Sequence, residues 1–251
     1  MKGRWLWWGL IVVSLMGCGQ SSLRNGAESK ESLAQVYTNL GLAYIQQGNN
    51  DTALDKFFKA LEQDADHADA HHYIASIYQQ QGQLEKADQH YQRALRLDAE
   101  NPMLQNNYGT FLCERDQYPQ AEKLFLDAAK NPRYNTPALA YENAGLCALR
   151  AGDAQKAERH FRAALEINSK LPGTLYQMAL LMVNSERPLP ARAYLQRYSE
   201  LVAPEPRSLW LGILIERKLG DAQAVANYSM RLKSNFPNTE EARLLRESEK
   251  K

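Results

Sequence analysis

Beyond residue 33 the same residue pattern returns every 34 positions, and a repeat of that length constrains a fold more firmly than local propensity does. Tyr37, Leu40, Gly41 and Tyr44, followed by Ala53, Phe57 and Ala60, are answered one period later by His71, Ile74, Ala75, Tyr78, Ala87, Tyr91 and Ala94. The third copy reads Gln105, Tyr108, Gly109, Leu112, Ala121, Phe125 and Ala128. The fourth, displaced by 36 through the connection Asn131-Pro132-Arg133-Tyr134-Asn135-Thr136-Pro137, reads Tyr141, Ala144, Gly145, Ala148, Ala157, Phe161 and Ala164. Leu175, Met178, Ala179, Met182, Ala191, Leu195 and Tyr198 make a fifth. A sixth is weaker: Leu211, Gly212, Ile215, Ala224 and Tyr228 fit, but Gly220 falls one residue late relative to Gly48, Gly82 and Gly152.

This spacing resembles the tetratricopeptide signature, which implies units of two antiparallel helices, each too small to bury its own apolar face, so that stacking supplies the core. The expected fold is an all-α tetratricopeptide-repeat superhelix of about six helix-turn-helix repeats, at 34–67, 68–101, 102–137, 138–171, 172–204 and 205–238, with a C-terminal helical tail at 239–251. Gly41, Ala75, Gly109, Gly145, Ala179 and Gly212 mark where the two helices of a unit meet closely, a larger side chain being too bulky for an interaxial distance of about 8 to 10 Å. Gly48, Gly82 and Gly152 suit the turn between them. Pro102 and Pro172 open new helices, since proline is tolerated in the first turn.

The N-terminal residues read differently. Lys2 and Arg4 precede an apolar run, Trp5 to Met16, too short to span a bilayer core of about 30 Å, which reads as a secretory signal over residues 1–17. It ends in Leu15-Met16-Gly17-Cys18, which resembles the lipobox of bacterial lipoproteins, where the cysteine is acylated and becomes the new N-terminus. Gly19 and Gln20 follow rather than Asp, so the resemblance implies lipid anchoring of Cys18 at the outer membrane, facing the periplasm. Residues 18–33, rich in Ser, Gly and charges, carry too little apolar surface to fold and read as a flexible tether.

Composition removes other classes. Thirty Lys plus Arg stand against 29 Asp plus Glu, a formal charge of +1, so no clustered basic surface suggests nucleic acid. Three cysteines without C-x-x-C, and a His67, His71 and His72 group in which His71 occupies a repeat-signature position and no carboxylate support is specified, point to no metal site and no cofactor. There is no P-loop and no nucleophile elbow, so neither an enzyme nor a small-molecule substrate is expected. A protein-binding scaffold remains.

The third and fourth repeats carry residues that a generic repeat does not demand: Asn106-Asn107-Tyr108-Gly109-Thr110-Phe111-Leu112-Cys113, the Tyr118 to Phe125 run, Asn131-Pro132-Arg133-Tyr134 with Pro137, and Asn143-Ala144-Gly145-Leu146-Cys147. With the leader, lipobox and tether they resemble the type IV pilus pilotin lipoproteins, the PilF/PilW family. The resemblance implies binding to type IV pilus secretin subunits, which the protein would bring to the outer membrane and help into multimers, as pilus biogenesis and twitching motility need. The rival from another class is a lipoprotein adaptor for peptidoglycan synthesis or hydrolysis enzymes, which fold analogy supports equally.

Two further expectations concern sites. With Cys18 assigned to lipid, Cys113 and Cys147 lie late in the first helices of adjacent repeats and in an oxidising compartment, which predicts a disulfide, two buried free thiols being the alternative. The second, fifth, ninth and twelfth positions of each unit are expected to face the groove, which offers Thr38, Leu42 and Ile45 in the first repeat as partner anchors. Leu146, Leu149, Tyr176 and Leu180 form a second candidate surface.

Overall fold

The computed structural model describes residues 21–250, with side chains from residue 33 onward. Thirteen helices and no strand occur among the described residues. Two compact units divide after Leu97.

In the first unit α1 (Ser21–Gln46) pairs with α2 (Asn50–Gln63) and α3 (Ala68–Gln80) with α4 (Leu84–Leu97). The second unit continues the pairing: α5 (Pro102–Glu114) with α6 (Tyr118–Lys130), α7 (Pro137–Arg150) with α8 (Ala154–Ile167), α9 (Pro172–Asn184) with α10 (Pro188–Ser199), and α11 (Pro206–Leu219) with α12 (Ala222–Asn235). A short α13 (Glu240–Ser248) packs on α11 and α12, where Ala242 and Leu245 join Leu209, Ile213 and Leu232 in a closing core. The fold is thus the all-α tetratricopeptide-superhelix class that the 34-residue period predicts.

The period works because the small residues sit where rings press on them. A Cβ built on Gly145 would lie 2.5 Å from the Phe161 ring, and one on Gly41 at 2.5 Å from Phe57, so helix pairs close over an aromatic side chain only if the facing position has none. The rings themselves are fully buried. Helix starts are set by capping: Asn49, Asn101, Asp153, Asp221 and Thr239 each accept a hydrogen bond from a backbone N–H three residues on. Proline opens α5, α7, α9, α10 and α11.

Three features depart from the sequence pattern. The late Gly220 does not weaken the sixth unit: the extra residue lengthens α11, and Gly220 still closes it in left-handed geometry at φ 74°. In the third and fifth units the corresponding turn position is held at positive φ by Asp116 (60°) and Glu186 (55°), without glycine. Finally, α1 begins at Ser21, so the stretch expected to be a structureless tether is helical there. Helical backbone satisfies its own hydrogen bonds and, once nucleated by the packed residues after Ala34, propagates through Leu, Arg, Ala, Glu and Lys without needing burial. Cys18 and the leader lie outside the described residues.

Candidate functional site

The repeat lets each helix-A position be compared with its equivalents. The third, seventh and tenth positions are covered wherever helix B of the preceding unit lies against them. In α3 these are Ala70, Ile74 and Ile77, in α7 Ala140, Ala144 and Cys147, and in α9 Thr174, Met178 and Leu181, all buried. In α1, which no repeat precedes, the equivalents are Val36, Leu40 and Ala43, and all three are exposed. Val36 is 48% exposed and Leu40 42%, with Leu33 one turn earlier at 46%. Spacings of three and four residues put Leu33, Val36 and Leu40 on one stripe of α1, the edge of the array.

Of the groove anchors expected in the first repeat, Thr38 is corrected by its burial, while Leu42 and Ile45 stay partly exposed. Thr38 is fully buried, its Oγ1 donating to the Ala34 carbonyl at 2.9 Å. Leu42 and Ile45 are half-buried against the core formed by Phe57, Ile74 and Ile77. The physical reason is packing: the cluster that joins Phe57 of α2 to Ile74 and Ile77 of α3 takes part of the surface of Leu42 and Ile45, while Thr38 is closed off by its own bond to the helix backbone. The exposed apolar face lies on the opposite flank, which the sequence pattern hid because Leu40 occupies a signature position that is core in every later copy.

In the second unit the structure brings Cys113 and Cys147 together as a disulfide, with Cα atoms 5.8 Å apart, tying the end of α5 to α7. Beside it opens a cavity of about 480 Å³, lined by both cysteines, Leu146, Leu149, Asn143 and Arg150 among others. Leu146 is exposed and Leu149 half-buried. Tyr176 and Leu180 are not part of this cavity. Both pack on the core of the later repeats, Tyr176 with its ring 5.7 Å from that of Tyr198 and the Arg207 guanidinium 4.9 Å from its centre. Burial also raises the Glu142 carboxyl above its ordinary range on the same helix as Leu146.

The loop peculiar to the fourth repeat is held by its own side chains. Asn131 accepts from the Arg133 backbone N–H at 2.9 Å and donates to the Glu100 carbonyl at 2.7 Å, so the insert is anchored to the connection that leads into α5.

His71, His72 and His90 pack within one neighbourhood of the second repeat. His72 is buried and its pKa falls to about 4 through desolvation. His71 Nε2 donates to the Ala65 carbonyl, leaving its Nδ1, 2.9 Å from His90 Nδ1, as an acceptor. Burial lowers both, His90 to about 4, so neutral rings are favoured at neutral pH. No cluster of three or more His, Cys, Asp or Glu side chains set to hold a metal occurs among the described residues. No described helix is long and apolar enough to cross a membrane.

Paired helices in a 34-residue register, with an open edge and a side cavity, define a tetratricopeptide-repeat protein. Family models described as tetratricopeptide repeat match residues 32–100 and 112–172. The chain is 32% identical over 233 residues to the type IV pilus assembly protein PilF of Pseudomonas aeruginosa, covering 92% of both chains, and it belongs to that family. Its fold superimposes on a solved structure of Pseudomonas aeruginosa PilF with a TM-score of 0.78 at 31% identity, covering 88% of this chain and 99% of the other. It also superimposes on PilW, a widely conserved type IV pilus biogenesis factor, with a TM-score of 0.74 at 28% identity, covering 84% and 97%.

Proposed function

We propose that this type IV pilus biogenesis protein is a pilotin: a lipoprotein anchored at the outer membrane through Cys18 that binds type IV pilus secretin subunits on its periplasmic side, brings them to the membrane and promotes their assembly into multimers. Several acyl chains at about 0.8 kcal/mol per buried CH₂ would hold such a protein on a bilayer without a membrane-spanning helix.

The observation that supports the reading is the open edge of α1. Leu33, Val36 and Leu40 expose the surface that a preceding helix covers in later repeats. Its geometry is therefore suited to one amphipathic helix of a partner, laid along α1 in the place of a missing helix B. An apolar stripe of this kind, left in contact with water, is a partner signal rather than a packing accident. The polar positions around it would exclude water while a few apolar anchors supply the energy.

The experiment is capture of purified secretin by the wild-type protein and by a Val36→Asp, Leu40→Asp double variant. Both side chains are exposed, so the variant keeps its circular dichroism, while capture falls by at least the hot-spot scale of about 2 kcal/mol. Wild-type capture by the folded variant would place the secretin contact elsewhere.

A further inference from the structure

Two imidazoles converge in the second repeat, where the Nδ1 atoms of His71 on α3 and His90 on α4 face each other at 2.9 Å. The Ala65 carbonyl lies 3.2 Å from His71 Nε2 and holds the ring proton there, so His71 Nδ1 presents a lone pair. A ring fixed in this way by a backbone carbonyl behind it is the usual support of a metal-ligating histidine. His90 has the complementary freedom: its Nε2 makes no hydrogen bond among the described residues, so its proton can sit on either nitrogen. Aromatic rings wall the pair, Tyr78 with its centre 5.7 Å from that of His90 and Phe58 edge-on at 6.4 Å. The charges around it are mostly positive. Arg93 and Arg96 both act on His71, and Asp66, the carboxylate among its neighbours, is taken by Arg93.

We infer that His71 and His90 bind one copper(I) ion between their Nδ1 atoms, clamping α3 to α4. Copper(I) is a monovalent d10 ion that two neutral imidazoles satisfy in a near-linear arrangement. Zinc fits less well: it takes three or four protein ligands, and no third His, Cys, Asp or Glu completes a set among the described residues. Calcium and magnesium would need a shell of oxygen atoms that the pair lacks. A single positive charge is also repelled least by Arg93 and Arg96, since Coulomb repulsion grows with the charge of the ion. Binding needs no net proton change. The Nδ1 proton of His90 moves to its Nε2, and the hydrogen bond between the rings is exchanged for two metal–nitrogen bonds. The nitrogens part from 2.9 Å to about twice a metal–imidazole bond of about 2 Å, a small rotation for two half-buried side chains. The rings of Tyr78 and Phe58 crowd the space in which water would add further ligands.

The test is an anaerobic competition titration of the full-length chain, carrying Cys18→Ala so that no free thiol competes. Ascorbate keeps the copper reduced and leaves the disulfide intact, and bicinchoninate serves as the coloured copper(I) chelator. Uptake of one copper per chain is expected. Its Kd rises at least 10-fold with His71→Gln and with His90→Gln, while His67→Gln leaves it unchanged. X-ray absorption of the loaded chain shows two nitrogen neighbours, and zinc at equal concentration does not displace the copper. Circular dichroism of the copper-free variants checks the fold. Should His71→Gln perturb it, the His90→Gln arm stands, and the absorption measurement on the unsubstituted site needs no histidine variant at all. No uptake, uptake that survives both histidine variants, displacement by zinc, or a copper shell of sulfur or oxygen atoms overturns the inference.

Discussion

Glu186 and Asp116 hold the same turn position in different units, yet replacing each by glycine should have different consequences. An L-residue in left-handed geometry costs about 1 to 2 kcal/mol, and Glu186 sits there at φ 55°. Against this relief, glycine adds about 0.4 to 1 kcal/mol of unfolded-state entropy. The Lys218–Glu186 ion pair at 2.6 Å, with the carboxylate 77% exposed, contributes little because solvent screens it. Glu186→Gly should therefore stabilise the chain by about 0.5 to 1 kcal/mol, which for a unit of this size is a rise in Tm of roughly 1 to 4 °C. Asp116 is different: aspartate tolerates left-handed geometry better, and its Oδ1 accepts a hydrogen bond from the Tyr118 hydroxyl. Asp116→Gly loses that bond and should leave Tm unchanged or lower it. The assay is thermal unfolding followed by circular dichroism on both variants. A Tm that rises for Asp116→Gly and not for Glu186→Gly would refute the reasoning.

Three other outcomes follow. Removing the disulfide in a Cys113→Ser, Cys147→Ser variant opens a loop of sequence separation 34 and should cost roughly 3 to 4 kcal/mol by chain entropy, read as a lower urea midpoint; a midpoint equal to that of the oxidised wild type would contradict this. Because burial depresses the His72 pKa from 6.5 to about 4, the unfolded chain binds more protons than the folded one between those values. Stability should therefore be full above pH 6.5 and fall as pH drops towards 4, by up to about 3 kcal/mol, and a flat urea midpoint from pH 7 to 4.5 would show that His72 does not titrate this way. Cys18→Ala should release the protein from membranes, checked by fractionation in high salt; retention with the outer membrane would mean that lipid is not the anchor.

Much of the architecture is written into the residue pattern because the repeat places small residues and the rings that press on them in register. Gly41 and Gly145 face Phe57 and Phe161 with no room for a Cβ, and a 34-residue period of such pairs admits few other folds. The pairing of Cys113 with Cys147 was legible for the same reason, as the two lie at matching ends of helices in adjacent units. Exposure in the first repeat was not legible. Leu40 has the residue type of a core position, and it is exposed because no helix among the described residues precedes α1 to cover it; Leu42 and Ile45 look like groove residues and pack in part on the core of the first unit. The positive φ of Glu186 was hidden as well, since nothing in the identity of a glutamate announces left-handed geometry. The amide pair at the cavity involves Asn106 and Asn143, one repeat apart, whose contact depends on how α5 and α7 lie together rather than on either local sequence.

The central claim is that this scaffold serves secretin assembly, and the most direct measurement is the level of SDS-resistant secretin multimers in a strain lacking the gene and in the same strain supplied with the wild-type gene or the Val36→Asp, Leu40→Asp variant. The account predicts loss of multimers and of twitching on deletion, recovery with the wild type, and little recovery with a variant that is present at normal levels. Normal multimers in the deletion strain, with altered cell shape instead, would contradict it and favour a peptidoglycan adaptor.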